Sequence, residues 1–190
     1  MPLSVLEAIL ERSPVPPLPN LRANPSSSVT VVNLIFPPTP TGQPIHSEGF
    51  GYLIPRDKNG HVEVLGTVFD SCALGAQDEY ASAESPRFTK MTMMVRLQPS
   101  SLPITQERIL QHLTTHLAPP TPLPEPVYFK AHDLRDCIPA PSVGHVKRMK
   151  ELAEVLRKEW DGKLAVIGAG VGGVSVGDCI EQGRRVGEGW

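Results

Sequence analysis

Proline does more than any other residue to limit what this chain can fold into. There are 21 prolines in 190 residues, roughly twice average usage. Proline has no backbone N–H and a fixed φ, so it is kept out of helix interiors and central strands. Most of the 21 fall within residues 14–25, 37–44, 99–103 and 119–126. Secondary structure is expected between these stretches, and a helical bundle is excluded. The chain is not a low-complexity coil either, because 40% of it is hydrophobic and can build a core.

Between the proline stretches the residue pattern changes character. Leu3 to Arg12 reads as a short helix with Leu3, Leu6 and Leu10 on one stripe. Ser27 to Phe36, Gly49 to Pro55, Val62 to Ser71 and Phe88 to Val95 read as strands, and Asn59-Gly60 suggests a hairpin turn. Ala76 to Ser85 is a polar loop. Ile104 to Leu117 reads as a helix, and Val127 to Asp133 as a short strand. Val146, Met149, Leu152, Ala153 and Leu156 recur at helical spacing, with Ser142 as a candidate N-cap. Lys163 to Ile167 suggests a short buried strand, then a glycine-rich turn and a final helix from Asp178 to Val186, with Asp178 as its cap. The expected fold class is mixed α/β (α+β): an antiparallel sheet followed by a strand–turn–helix unit.

Several functions are disfavoured by composition. The net charge of −2 offers no field of one sign to gather nucleic acid or an anionic membrane. The strongest apolar run, Val29 to Phe36, has eight residues, against about 20 for a membrane-spanning helix. Cys72, Cys137 and Cys179 are odd in number, widely spaced and without CxxC. That argues against a disulfide framework or zinc site and for reduced thiols. His112 and His116 sit four apart, but without the glutamate of a metalloprotease motif they read as surface histidines. The N-terminus lacks the basic start and apolar run of a secretory signal, and the acid-poor character of a presequence. The PxxP segments at Pro14–Pro19 and Pro119–Pro126 could dock a polyproline-binding domain, although linkers are the plainer reading.

Chemistry concentrates in Leu164 to Gly183. Gly168, Gly170 and Gly173 match GxGxxG, in which glycines let backbone amides approach a pyrophosphate at a helix start. Only 17 residues follow Gly173, too few for the second strand and ribose-binding acid of a dinucleotide-binding unit. Gly173-Val174-Ser175-Val176-Gly177 matches GxSxG, but the last histidine is His145, so the later histidine of a serine hydrolase is missing.

Gly173 to Arg185, GVSVGDCIEQGRR, resembles the C-terminal Gly-Val-Ala-Val-Asn-Asp-Cys-Ile-Glu-Ser-Gly run of the protoporphyrinogen oxidase family. Other blocks agree in the same order. Gly49 to Pro55 is similar to that family's Gly-Phe-Gly-His-Leu-Val-Pro, with Tyr52 in place of histidine. Val64 to Ala73 is similar to its Val-Leu-Gly-x-Val-Tyr-Asp-Ser block. Asp136 to His145 is similar to its Cys-Ile-Pro-x-Tyr-x-x-Gly-His, with Ala140-Pro141 in place of a polar residue and tyrosine. Further departures are Arg96-Leu97 for a Gly-Gly pair, Val171 for an aromatic and Gly177 for asparagine. The resemblance covers roughly residues 3 to 187 and, with several colinear blocks, is more specific than the glycine pattern alone.

The resemblance implies a flavoprotein of the amine-oxidase type that uses FAD and dioxygen to oxidise protoporphyrinogen IX to protoporphyrin IX in heme biosynthesis. It implies a C-terminal portion of such an enzyme, lacking the N-terminal FAD half and by itself inactive. It further implies the family's homodimer and peripheral association with the mitochondrial inner membrane, through segments absent here. The implied division is residues 1–20 as a helix and proline-rich segment, 21–135 as part of a substrate-binding sheet domain, and 136–190 as part of an FAD domain. The implied cofactor-binding residues are Gly168, Ala169, Gly173, Val174, Ser175 and Val176, with the positive end of the last helix toward the flavin. The implied substrate-binding residues are Phe50, Gly51, Tyr52 and Leu53, with Val68 and Met94 behind them. No catalytic acid or base and no metal ligand is implied. Another flavin-dependent amine-oxidase relative and a proline-rich interaction protein are the alternatives.

Overall fold

A computed structural model describes residues 3–40, 42, 44–55, 63–77, 88–97 and 103–189. The chain is mixed α/β, built on a five-stranded antiparallel sheet of order β2-β3-β4-β1-β5. The strands are β1 (Ser26–Phe36), β2 (Gly51–Leu53), β3 (Val64–Val68), β4 (Thr89–Arg96) and β5 (Tyr128–Pro139). The helices are α1 (Leu3–Leu10), α2 (Asp70–Ala73), α3 (Gln106–Leu117), α4 (His145–Glu159) and α5 (Val176–Glu188). Two compact units divide the chain: Met1–Ser28 with Arg135–Trp190, and Val29–Leu134. The boundaries fall inside β1 and β5.

In the Val29–Leu134 unit, alternation decides which side chains enter the core. Val32, Leu34 and Phe36 of β1 and Met91, Met93 and Val95 of β4 point to one face and are fully buried. The β1–β4 register sets Val32 against Met93 and Leu34 against Met91. Ile109 and Leu113 of α3, one turn apart, close this layer. Thr105 caps α3 by accepting the Arg108 N–H at 3.3 Å, and Ala118 ends it in the left-handed region at φ 42°. Leu123, from the proline stretch at 119–126, also packs on this core.

The other unit has its own core. Leu152, Leu156 and Met149 of α4 pack with Leu3, Leu18 and Leu21. Leu18 lies between Pro17 and Pro19 and is buried, so this proline segment is held by packing.

Several elements differ from expectation. Asp70 and Ser71 do not continue β3 but open α2. β5 extends to Pro139, because hydrogen bonds from Val127 N to Ile35 O and from Ala140 N to Pro25 O tie the segment along β1. Ser142 does not cap α4; Gly144 does, at φ 85°, because the Ser142 hydroxyl donates to Ala23 O and accepts from Arg148. Lys163 to Ile167 is neither a strand nor buried. Leu164 and Val166 lean on the α4 core, Ile167 is 44% exposed, and among the described residues no strand pairs with the segment. Asp178 is the third residue of α5 rather than its cap, which is Ser175. Asn59-Gly60 and most of the polar loop at 76–85 lie outside the described residues. Among the described residues no helix is long and apolar enough to cross a membrane.

Candidate functional site

Four of the six predicted substrate residues, Gly51, Leu53, Val68 and Met94, fall on the sheet face opposite α3; Phe50 precedes the sheet and Tyr52 faces the other way. Pairing sets Gly51 against Val68, Tyr52 against Thr67 and Leu53 against Gly66. The next ladder sets Gly66 against Met94 and Val68 against Thr92, and β1 sets Val31 against Met94. Leu53, Gly66, Met94 and Val31 therefore form one row across four strands, with Gly51, Val68, Thr92 and Asn33 beside it. A bulge between Val64 and Gly66 moves the β3 register by one residue, which turns Gly66 and Val68 toward this face.

The face is an apolar shelf with a polar border. Leu53 is 79% exposed, and Val31, Val68 and Met94 are half-buried. At the border the Thr92 hydroxyl reaches Asn33 Oδ1 at 3.3 Å and Asp70 Oδ2 at 2.7 Å. Glycine keeps the shelf flat and the strands close. A Cβ on Gly51 would lie 2.1 Å from Thr67 O, and one on Gly66 would lie 2.6 Å from Tyr52 O. Gly51 also has φ 147°, which side chains rarely adopt. Phe50, just before β2, is 72% exposed.

Tyr52 is not on the shelf. Period-two alternation sends its ring to the α3 side, where it packs on the core. Its hydroxyl lies 3.0 Å from His116 Nδ1 and accepts from Thr67 Oγ1 at 2.9 Å. Burial pushes the Tyr52 phenol up and, with His112 adding repulsion, the His116 imidazole down. His112 and His116 are not free surface histidines. Their rings stack at 5.9 Å, and His112 Nε2 lies 3.0 Å from Glu63 Oε2, while Glu63 Oε1 pairs with Arg108. The sequence signals for this cluster are the i, i+4 histidines; the partners Tyr52, on β2, and Glu63, just before β3, are distant in sequence and not readable locally.

The second candidate surface is the glycine-rich turn, in the other unit. Gly168 and Gly173 have φ 116° and 146°. The Gly168 carbonyl accepts from Val171 N at 2.9 Å and Gly172 N at 3.3 Å, closing the turn. Gly168 N donates to Gln182 Oε1 at 3.0 Å, which ties the turn to α5. Gly168, Ala169 and Gly173 are half-buried, while Val174, Ser175 and Val176 form an exposed run into α5.

α5 starts with a capping box. Ser175 Oγ accepts Asp178 N at 3.0 Å, and Asp178 Oδ2 accepts Ser175 N at 3.2 Å. The glycine before it makes this possible, since a Cβ on Gly173 would lie 2.5 Å from Asp178 Oδ2. The expected positive helix end is therefore offset by a carboxylate in its first turn. Residues 168–177 contain no lysine or arginine. This donor set suits a flat, apolar ring laid against backbone and valine better than a pyrophosphate. The S-x-x-D spacing was a readable sign of the cap. Cys72, Cys137 and Cys179 form no disulfide, and among the described residues no cluster could hold a metal ion.

No family model matches the chain. Individual relatives do. The chain is 32% identical over 192 residues to protoporphyrinogen oxidase of Homo sapiens, an alignment spanning 97% of this chain and 38% of that protein. The enzyme of that name from Bos taurus is 31% identical over 189 residues, again 97% of the chain and 38% of the relative. That of Schizosaccharomyces pombe (strain 972 / ATCC 24843) is 32% identical over 164 residues, 84% of the chain and 32% of the relative. The crystal structure of a protein assigned as a protoporphyrinogen oxidase from Exiguobacterium sp. 255-15 shares the fold. Its TM-score is 0.67 at 21% identity, over 99% of this chain and 39% of that one.

Proposed function

Since the chain belongs by sequence to the protoporphyrinogen oxidase family, over a stretch equal to 38% of its relatives' length, we propose that it carries substrate- and flavin-facing surfaces of an FAD-dependent oxidation of protoporphyrinogen IX to protoporphyrin IX. The observation that carries the proposal is the 32% identity to a protoporphyrinogen oxidase across nearly the whole chain. The shelf of Leu53, Val68 and Met94 supports it, because a large flat apolar substrate needs a smooth wall of soft side chains.

In this reading FAD, held against Gly168, Ala169, Gly173, Val174, Ser175 and Val176, would supply the hydride-accepting chemistry, with dioxygen as final acceptor for the six hydrogens removed from the substrate. The chain's own residues bind and orient. Leu53, Val68 and Met94 exclude water from one face of the tetrapyrrole, and Gly51 lets it lie close to the edge strand. Phe50 adds an aromatic edge. Tyr52 acts from the opposite side of the sheet, holding β2 against α3. Gly168, Ala169, Gly173, Val174, Ser175 and Val176 offer the flavin ring a backbone wall. Residues 21–135 and 136–190 are then parts of a substrate domain and an FAD domain. Heme biosynthesis, the homodimer and the mitochondrial inner membrane come with the same reading.

The test is direct binding to the purified chain. FAD is titrated by flavin absorbance and protoporphyrin IX by its fluorescence. Porphyrin affinity is expected to fall at least about tenfold in Met94→Glu, since a carboxylate on an apolar wall must be desolvated on binding. FAD affinity is expected to stay unchanged in that variant. Absence of saturable binding for both ligands would overturn the proposal.

A further inference from the structure

The Cys-Ile-Pro…Gly-His block ends in His145, and no role for this histidine follows from the substrate or flavin surfaces. Its ring is held at both nitrogens within one unit of the chain. Nδ1 lies 2.9 Å from Asn24 Nδ2, and Nε2 lies 2.9 Å from Val171 O. The chemistry of the partners fixes the proton. Asn24 Oδ1 takes hydrogen bonds from Arg148 Nη2 at 3.1 Å and Ser142 N at 3.4 Å. The Asn24 carboxamide therefore turns its NH2 to the ring. Arg148 is itself anchored on Val143 O, Ser142 O and Ser142 Oγ at 2.8, 3.2 and 2.6 Å. Nδ1 must then accept, and Nε2, facing a carbonyl, must carry the hydrogen.

The carbonyl that His145 holds belongs to the peptide unit joining Val171 to Gly172. A trans peptide points its C=O and N–H in opposite directions. The N–H of that unit donates to Gly168 O at 3.3 Å. His145 thus grips one end of a peptide plane whose other end closes the turn. Glycine follows at both 172 and 173, where a plane could otherwise rotate at little cost. Gln182 holds Gly168 N from α5, so the turn is braced from two helices.

We propose that His145 is a positioning residue for the glycine-rich turn. As the Nε2–H tautomer set by Asn24, it locks the Val171–Gly172 peptide and so the backbone between Gly168 and Gly173. Only the consequence for flavin binding rests on the function proposed above.

The test uses the full chain. Ring 15N spectra of the parent are expected to show His145 with Nε2 protonated and Nδ1 bare. In His145→Leu, hydrogen exchange at the Gly172 amide is expected to speed up roughly tenfold, as for loss of one hydrogen bond. The Leu152 and Leu156 amides of α4 are expected to keep their parent rates. His145→Gln, whose Nε2 can replace the ring donor, is expected to bring the Gly172 rate back to within about threefold of the parent. An Nδ1–H tautomer in the parent, or an unchanged Gly172 rate in His145→Leu, overturns the proposal. The tautomer needs no variant, so a poorly folding His145→Leu leaves that arm decisive. FAD titration of the parent separates the two readings. The expected tautomer and exchange without FAD binding support the positioning role and remove only the flavin assignment.

Discussion

The Tyr52 hydroxyl lies 3.0 Å from His116 Nδ1, joining the edge strand β2 to the helix that covers the core. Thr67 donates to the same oxygen at 2.9 Å, so Tyr52 donates to the imidazole. That bond requires a bare Nδ1. Burial, then repulsion from His112, holds the His116 pKa below its ordinary value of 6.5. The unfolded chain therefore takes up a proton before the folded one does. The contribution to stability is full above about pH 6.5 and is lost as pH falls through the lowered folded value. Thermal unfolding between pH 7 and 5 is expected to show this loss. His116→Gln is expected to flatten it, and an unchanged slope in that variant would remove His116 as its source.

Tyr52→Phe tests the same pair from the other side. Burial raises the phenol pKa, partly offset by the Thr67 hydrogen bond. Ultraviolet titration is expected to lose its highest-pH tyrosine phase in this variant. The cost in stability is expected to be about 1 kcal/mol, that of one hydrogen bond. Porphyrin binding is expected to hold, because the ring is on the α3 side of the sheet.

The contrast between Tyr52 and its neighbours shows what the sequence could disclose. β1 and β4 were legible as strands because strand-forming residues fill Ser27 to Phe36 and Phe88 to Val95 between breaks. In the three-residue β2 there is no period to count, so the side of Tyr52 depended on its pairing with Thr67. The bulge at Leu65 is likewise a property of two strands together. Ser142 misled for a similar reason: its hydroxyl donates to the distant Ala23 carbonyl and accepts from the Arg148 guanidinium, instead of capping a backbone N–H of the helix. The Lys163–Ile167 segment has strand-like residues but no partner strand among those described, and β structure exists only in pairs. The final helix was legible after its glycine-rich turn, but its cap was placed at Asp178 instead of Ser175, because the S-x-x-D spacing that marks the capping box went unread.

Gly51→Ala is expected to be more damaging than Gly66→Ala. The new Cβ at 51 would meet Thr67 O at 2.1 Å, and the backbone there has φ 147°. At 66 the contacts are Tyr52 O at 2.6 Å and the movable Leu53 side chain at 2.8 Å. Chemical denaturation is expected to give losses of about 3 kcal/mol and about 1–2 kcal/mol, respectively. The reverse order would show that β2 shifts to admit the methyl at 51.

Ser175→Ala removes the side chain that accepts Asp178 N at 3.0 Å. Loss of an N-cap costs about 1 kcal/mol. Gly173→Ala is expected to cost at least as much by a different route, since its Cβ would displace the Asp178 carboxylate from Ser175 N. In both variants, exchange at the Asp178 amide is expected to rise before that of residues later in α5. Uniform loss along the helix would show that the box does not act locally.

Glu181, one turn beyond that box, offers an acid-side test on the same helix. Its carboxylate accepts from Arg184 Nε and from Arg185 Nε, both at 2.8 Å, and Arg184 also reaches Glu188. These guanidinium hydrogen bonds, Arg184 first, push the Glu181 pKa down to about 2 from 4.5. The sign is that of a depressed acid. The stabilising effect is complete above 4.5 and is lost as pH falls toward 2, because the unfolded chain is protonated first. All three side chains are exposed, so salt screens the pairs. The 13C-detected carboxyl titration of Glu181 is expected to have its midpoint near pH 2 at low salt and to move upward in about 1 M salt. A midpoint near 4.5 at low salt would mean that the arginines do not hold the carboxylate in solution.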